Sequence, residues 1–345
     1  MAATNNRDAI PVNTQTLCVI LPSWVGDTVM ATGLLRTCAT QRPNTKLKVI
    51  LRPALSALLE GLPYIDAIHQ AKMKGLTGPL QSARILKKTN ADAVLILPNS
   101  FRSALTARLA GVAKRIGYAR DHRGILLTNA IEAPSRDEPI SLLDYYQYLA
   151  TCALGQKPTD MTPHLEVTDQ QLSASAALLD KCDKRIVILN PGGNRLAKRW
   201  PAEKFVELGH LLTRELDAQL VITGAPSEAE LVAHIADALP GSLDLAAKDL
   251  GLGTLKGVIR RACLMITNDT GPRHIAAALG TPVVTLFGPT DPRWTTLPGV
   301  KERLLVAEPF LPEERLADNH AALCNVDRIT SADVLATAQS LLDET

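Results

Sequence analysis

The stretch LCVILPSWVGD, Leu17–Asp27, joins a five-residue apolar run to a short loop, which leads into a segment where Met30, Leu34 and Cys38 recur every four residues. A continuous apolar run bounded by turn residues reads as a strand buried on both faces. Four-residue spacing reads as a helix laying one stripe on a sheet. Pro43 ends that helix. The same strand signal returns as LKVIL at Leu47–Leu51 and AVLIL at Ala93–Leu97, with helical spacing between. Buried strands alternating with helices predict a parallel sheet with crossover helices. After a polar, proline-bearing stretch at Gln156–Pro163 the pattern restarts, with strands predicted at Ile186–Leu189, Leu220–Thr223, Leu264–Thr267 and Val283–Phe287.

At 345 residues the chain is longer than one core usually serves, and two consecutive α/β patterns predict two domains. We place a flexible tail at 1–15, a first domain at 16–165, a second at 166–330 and a C-terminal helix at 331–345. That helix could pack on either domain. Two such domains imply a cleft, with ligands bound beyond the carboxyl ends of the strands.

The apolar fraction of 46% and charged fraction of 21% are those of a globular protein, and a net charge of +2 gives no ground for a nucleic-acid partner. Six cysteines, at 18, 38, 152, 182, 263 and 324, form no CxxC pair and sit mostly in apolar runs, as small buried hydrophobes in a reducing compartment do. The first fifteen residues lack the apolar stretch of a secretory signal, and no apolar run reaches the ~20 residues that span a bilayer. A cytoplasmic location follows, with at most peripheral contact with the inner membrane.

Four loops at strand ends carry polar chemistry. In the first, Asp27 sits at a strand-to-helix junction beside Gly26. It is either the helix N-cap or a general base that takes the proton of an attacking hydroxyl. The second, NPGGNRLAKRWP at Asn190–Pro201, combines glycines, the Asn194 amide and three basic side chains, and suits a diphosphate unless it is only a solvated basic turn. The third, TNDTGPRH at Thr267–His274, opens a helix, where backbone N–H groups and the dipole favour an anion. Pro272 has no N–H, so Gly271 and Arg273 would supply the donors. His274 is either aimed at that anion or packed on the Ala-rich face. The fourth is the turn Gly288–Pro292. No DxD, GxxxxGK[ST] or GxSxG occurs, which argues against a metal-dependent sugar transferase, a P-loop enzyme and a serine hydrolase.

Taken in order, PSWVGD at Pro22–Asp27, LPNSFRSAL at Leu97–Leu105, Lys198 in AKRWP, NDTGPRH at Asn268–His274 and LFGPTDP at Leu286–Pro292 resemble glycosyltransferase family nine, the heptosyltransferases. The resemblance runs from about Leu17 to Val334, and its first two elements look most like the enzymes that add the second heptose. It implies a B-type glycosyltransferase fold, two Rossmann-like domains facing a cleft. It also implies inverting, metal-independent transfer of heptose from ADP-L-glycero-D-manno-heptose to the inner core of lipopolysaccharide, with no cofactor. The partners are then ADP-heptose and a lipid-linked core oligosaccharide. Under the resemblance Asp27 is the base and Lys198 binds the diphosphate and stabilises the departing ADP. Gly193, Asn194, Asp269, Thr270, Gly271 and His274 fall on donor-binding positions.

Between Phe101 and Arg123 lie Arg102, Arg108, Lys114, Arg115, Arg120 and Arg123 against one acid, Asp121. This patch suits a phosphorylated acceptor, with Trp24, Arg102 and Arg120 as its contacts, or is a solvated helix face. Two departures from the family stand out. The loop GAPSE at Gly224–Glu228 lacks an acid directly after its strand, leaving Glu228 to hold the ribose, and Pro272 replaces a larger apolar residue. A family member using another nucleotide sugar and acceptor, and a non-catalytic nucleotide-sugar-binding protein, are the competing readings.

Overall fold

A computed structural model of the chain describes residues 9–72, 75, 77–135, 139–180, 182–248, 250–307 and 324–344. Contacts divide the chain into two units, Met1–Leu165 and Glu166–Thr345.

The first unit holds strands β1 (Thr16–Ile20), β2 (Lys46–Leu51), β3 (Ala67–Gln70), β4 (Ala93–Ile96), β5 (Lys114–Tyr118) and β6 (Asn129–Ile131). Helices α1 (Val25–Gln41), α2 (Ser56–Leu59), α3 (Gly78–Lys88), α4 (Phe101–Leu109) and α5 (Leu142–Leu154) connect or cover them. The sheet order is β3-β2-β1-β4-β5-β6, every pair parallel. Every residue of the central β1 and β4 is buried, as helices on both faces require. Helix α5 starts where the Ser141 side chain accepts from the Asp144 N–H and stops at Gly155, whose φ of 78° favours glycine. Gly33 allows α1 to approach residue 161, because a Cβ there would lie 2.3 Å from the Met161 carbonyl oxygen.

The expected tail over 1–15 is anchored from residue 9 onward. Ile10 is fully buried, its N–H bonds the Ala153 carbonyl at 2.9 Å, and Arg42 Nη2 holds the Ile10 and Leu154 carbonyls at 3.1 and 2.9 Å. Two apolar residues and a buried arginine outweigh the polar composition around them.

The second unit repeats the plan with α6 (Asp169–Leu178), β7 (Arg185–Asn190), α7 (Ala202–Leu216), β8 (Ala218–Ile222), α8 (Ala229–Asp237), β9 (Leu243–Asp244), α9 (Leu252–Arg261), β10 (Leu264–Asn268), α10 (Gly271–Leu279), β11 (Val283–Phe287), β12 (Glu302–Val306) and α11 (Ser331–Asp343). Its order, β12-β11-β10-β7-β8-β9, is that of the first sheet read from the other edge, again all parallel. The C-terminal helix α11 packs on α7 and sends Val334, Ala338 and Leu341 into the second core.

In both sheets the direction of winding reverses at one pair of strands, β1 with β4 and β7 with β10. Loops leaving these strands diverge and open a crevice at the carboxyl end of the sheet. Trp200 ties the loop after β7 to the core beneath it. Its ring is 2% exposed, meets Phe205 edge-on at 4.9 Å, and its Nε1 donates to the Ile329 carbonyl at 3.0 Å. Trp200→Ala should therefore cost about 3–5 kcal/mol of unfolding free energy in denaturant titration.

Candidate active site

At the switch point of the first sheet, helix α1 begins with Val25. Trp24 occupies the N-cap position, with extended backbone and no side-chain capping bond. Asp27 is thus the third helical residue and not the cap. Burial pushes its pKa up from 3.8 to about 6, and no hydrogen bond or charge from a described residue offsets this. The phenol of buried Tyr146 lies within its field; burial and then the Asp27 charge drive that phenol's pKa well above its usual value. A half-buried carboxylate with no protein partner is costly to keep, and it is the state a general base needs.

Beside it, the loops after β1 and β4 enclose a cavity of about 420 Å³ lined by Ser23, Pro98, Ser100, Arg102, Ser103 and other residues of α4. The basic patch predicted around it resolves into two kinds of residue. Arg102, Arg108 and Lys114 are exposed. Arg123 is fully buried and donates to the Tyr118 carbonyl at 2.7 Å, Ser103 Oγ at 3.2 Å, Asn99 Oδ1 at 3.3 Å and the Pro98 carbonyl. Burial brings its pKa down to about 10, although Tyr145 and Asp121 oppose the shift. Arg115 bonds the Leu126 and Val112 carbonyls at 2.8 and 2.7 Å, and Arg120 the Pro134 carbonyl at 2.5 Å. Arg115 and Arg123 shape loops and Arg120 commits its Nη2 to one, so the patch open to solvent is smaller than its charge count implies. Trp24 is 66% exposed.

At the switch point of the second sheet, Asn268 closes the loop after β7 from both sides. Its Nδ2 donates to the Pro191 and Gly192 carbonyls at 2.8 and 3.1 Å, and its Oδ1 accepts from the Trp200 N–H at 3.1 Å. Asn190 joins Thr223, Thr267 and Thr270 below it at 3.1–3.2 Å. Within this frame Lys198 Nζ meets Asp269 Oδ2 at 3.0 Å, and Arg273 Nη1 meets Asp269 Oδ1 at 3.1 Å. Burial raises the Asp269 pKa, and Arg273 and Lys198 together outweigh it, so the carboxyl lies below its usual value. Gly271 opens α10 with Thr270 at its N-cap. His274 is 5% exposed, and burial reinforced by Arg273 brings its pKa down to about 3, so the ring is neutral at physiological pH. Its Nδ1 has no partner among the described residues. The ring can offer a hydrogen bond but not a positive charge.

Two expected donor contacts are already engaged. The Gly193 N–H donates to Glu228 Oε1 at 2.7 Å, and the Ala225 N–H to Glu228 Oε2 at 2.9 Å. Glu228 packs against Gly192, where a Cβ would lie 2.1 Å from Oε2. Glu228 thus clamps the loop after β7 to the loop after β8. Asn194 is exposed at the tip of the loop. Asn190 and Asn268 were legible only as polar residues at strand ends, because their partners come from other strands and loops; Glu228, expected to hold the ribose, instead has both oxygens on loop N–H groups.

Two Rossmann-ordered units, each with polar loops at its switch point, have the architecture of the B-type glycosyltransferases. The profile of Glycosyltransferase family 9 (heptosyltransferase) matches residues 80–315. Lipooligosaccharide heptosyltransferase 2 of Haemophilus influenzae is 29% identical over 81% of this chain and 85% of its own. Lipopolysaccharide heptosyltransferase 2 of Salmonella typhimurium is 28% identical over 95% of this chain and 99% of its own. The structure of Escherichia coli ADP-heptose lps heptosyltransferase II superposes with a TM-score of 0.80 at 25% identity, covering 96% of this chain and 99% of that one. The chain belongs to glycosyltransferase family 9 and is a glycosyltransferase of the heptosyltransferase kind.

The Asp27 carboxyl binds its proton more tightly in the folded protein than the 3.8 of the free side chain, so between pH 3.8 and about 6 this group's contribution to stability falls as pH rises. Asp27→Asn should accordingly raise the unfolding free energy by about 2–3 kcal/mol at pH 8 and by little at pH 4. Urea titrations at the two pH values measure the difference.

Proposed function

We propose that this enzyme transfers heptose from ADP-L-glycero-D-manno-heptose to the inner core of lipopolysaccharide, with inversion and without a metal. The observation that carries the reading is Asp27, a carboxylate held partly buried with no protein partner at the switch point of the first sheet. In this reading the first unit, residues 16–165, holds the acceptor, and the second, residues 166–330, holds the donor. Asp27 takes the proton of the acceptor hydroxyl as its oxygen bonds to the anomeric carbon. The bond from that carbon to the diphosphate breaks, and its electron pair leaves on ADP, whose growing charge Lys198 stabilises.

Thr270, Gly271 and the neutral His274 present hydrogen-bond donors at the start of α10 to the same diphosphate, with the Asn194 amide on the facing loop, which Gly193 shapes while Glu228 holds its N–H. Exposed Arg102 beside the first unit's cavity, exposed Trp24 and the half-buried Arg120 suit an anionic sugar acceptor. The similarity to lipopolysaccharide and lipooligosaccharide heptosyltransferases supports the acceptor class, and that to the E. coli ADP-heptose heptosyltransferase supports the donor. No helix among the described residues is long and apolar enough to cross a membrane. In this reading the lipid-linked acceptor brings the enzyme into peripheral contact with the inner membrane.

In an assay with ADP-heptose and defined truncated cores, Asp27→Ala should reduce kcat by about 10²–10⁴ and leave ADP affinity nearly unchanged. Wild-type rates in that variant, or a preference for a UDP-hexose over ADP-heptose, would overturn the reading. In the wild type, kcat should fall on the acid side with an apparent pKa near 6 as Asp27 takes up its proton. Lys198→Ala should weaken ADP binding and slow transfer together, measured by calorimetry and initial rates.

A further inference from the structure

Arg273 was expected to offer only its backbone N–H. Its side chain is instead fully buried, and every guanidinium N–H has a partner. Nε and Nη2 grip Glu302 Oε1 and Oε2 at 2.6 and 2.9 Å, Nη1 reaches Thr295 Oγ1 at 2.8 Å and Asp269 Oδ1 at 3.1 Å, and Nη2 reaches the Thr295 carbonyl at 3.0 Å. The guanidinium carbon lies 4.9 Å from the centre of the Phe287 ring. Glu302, on β12, is held in turn by Thr285 Oγ1 at 2.5 Å. A bidentate fork on one carboxylate and a single bond to a second fix Asp269 to the sheet.

Asp269 presents its other oxygen to Lys198. Lys198 is therefore held at 3.0 Å by a carboxylate whose charge Arg273 already shares. If Lys198 were its sole cation, Asp269 would bind the ammonium more strongly and compete better with an arriving diphosphate. With Arg273 present, the ammonium is aimed by Asp269 and still transferable.

We infer that Arg273 is a positioning residue for donor binding: through its fork on Glu302 it places and partly neutralises Asp269, so that Asp269 orients Lys198 and yields it to the diphosphate. The inference rests on the proposed role of Lys198. Four charges make up the relay, Lys198 and Arg273 against Asp269 and Glu302. Removing Arg273 and Glu302 together thus leaves the net charge unchanged and isolates the local effect on Lys198.

Arg273→Met alone would strand the buried Glu302 carboxylate and could unfold the chain, so the test uses Arg273→Met with Glu302→Gln. ADP is titrated by calorimetry into the wild type, this double variant, Lys198→Ala and the triple combination, with folding checked by thermal unfolding. The double variant should bind ADP about tenfold more weakly, and KM for the nucleotide sugar should rise while KM for the acceptor does not. In the Lys198→Ala background the same two substitutions should change ADP affinity by less than about twofold, the non-additivity of residues acting through one group. Additive losses in the triple variant, or wild-type affinity in a folded double variant, would overturn the inference and leave the proposed function standing. Failure of the wild type to bind ADP, or no effect of Lys198→Ala, would overturn both.

Discussion

Two parallel sheets that must be covered on both faces leave only the strand ends for chemistry, and that constraint organises everything else in this chain. Crossover helices take up the faces of β1, β4, β7 and β10, whose residues are all buried except Arg185 at the start of β7. At each reversal of strand order, β1 with β4 and β7 with β10, neighbouring loops leave in opposite directions. Asp27 and the cavity at Ser23–Ser103 belong to the first reversal, Lys198 and Asp269 to the second. Neither position is an accident of loop length.

The two switch points handle charge in opposite ways. In the first unit the buried cation Arg123 is satisfied by carbonyl, hydroxyl and amide oxygens, while the Asp27 carboxylate goes without a partner among the described residues. That asymmetry suits a site where a proton must be accepted. At the switch point of the second unit the charges are paired: Arg273 with Glu302, and Asp269 with both Arg273 and Lys198. A neutral, fully paired relay with one transferable cation suits a ligand that brings its own negative charge. Neutral His274, unable to add a second cation, fits the same design.

The central strands were legible because burial on both faces writes a continuous apolar run, and their parallel direction follows from the alternation with helices. The edge strands and β5 were not. The edges β3, β6, β9 and β12, and β5 beside one of them, are short or half-exposed, with sequences such as NAI and ERLLV that carry no such run. Among site residues, Asp27, Lys198 and the NDTG loop stood out because their types and junction positions suit the chemistry. Arg273 was read for its backbone N–H alone, because the partner of its side chain, Glu302, lies 29 positions further on in the chain. Likewise the basic count over Phe101–Arg123 could not separate Arg102, facing solvent, from Arg123, whose partners are backbone carbonyls brought in by folding. Local pattern reports what a residue is; long-range pairing decides what it has left to offer.

The central claim is direct displacement at the anomeric carbon by an acceptor hydroxyl deprotonated at Asp27. The measurement that tests it most directly is NMR of the product formed from ADP-heptose and a heptose-deficient core acceptor, reading the anomeric configuration of the new linkage against that of the donor. The account requires a transferred heptose with inverted configuration. Retention of configuration, or no transfer to any lipopolysaccharide core by the folded enzyme, would contradict it.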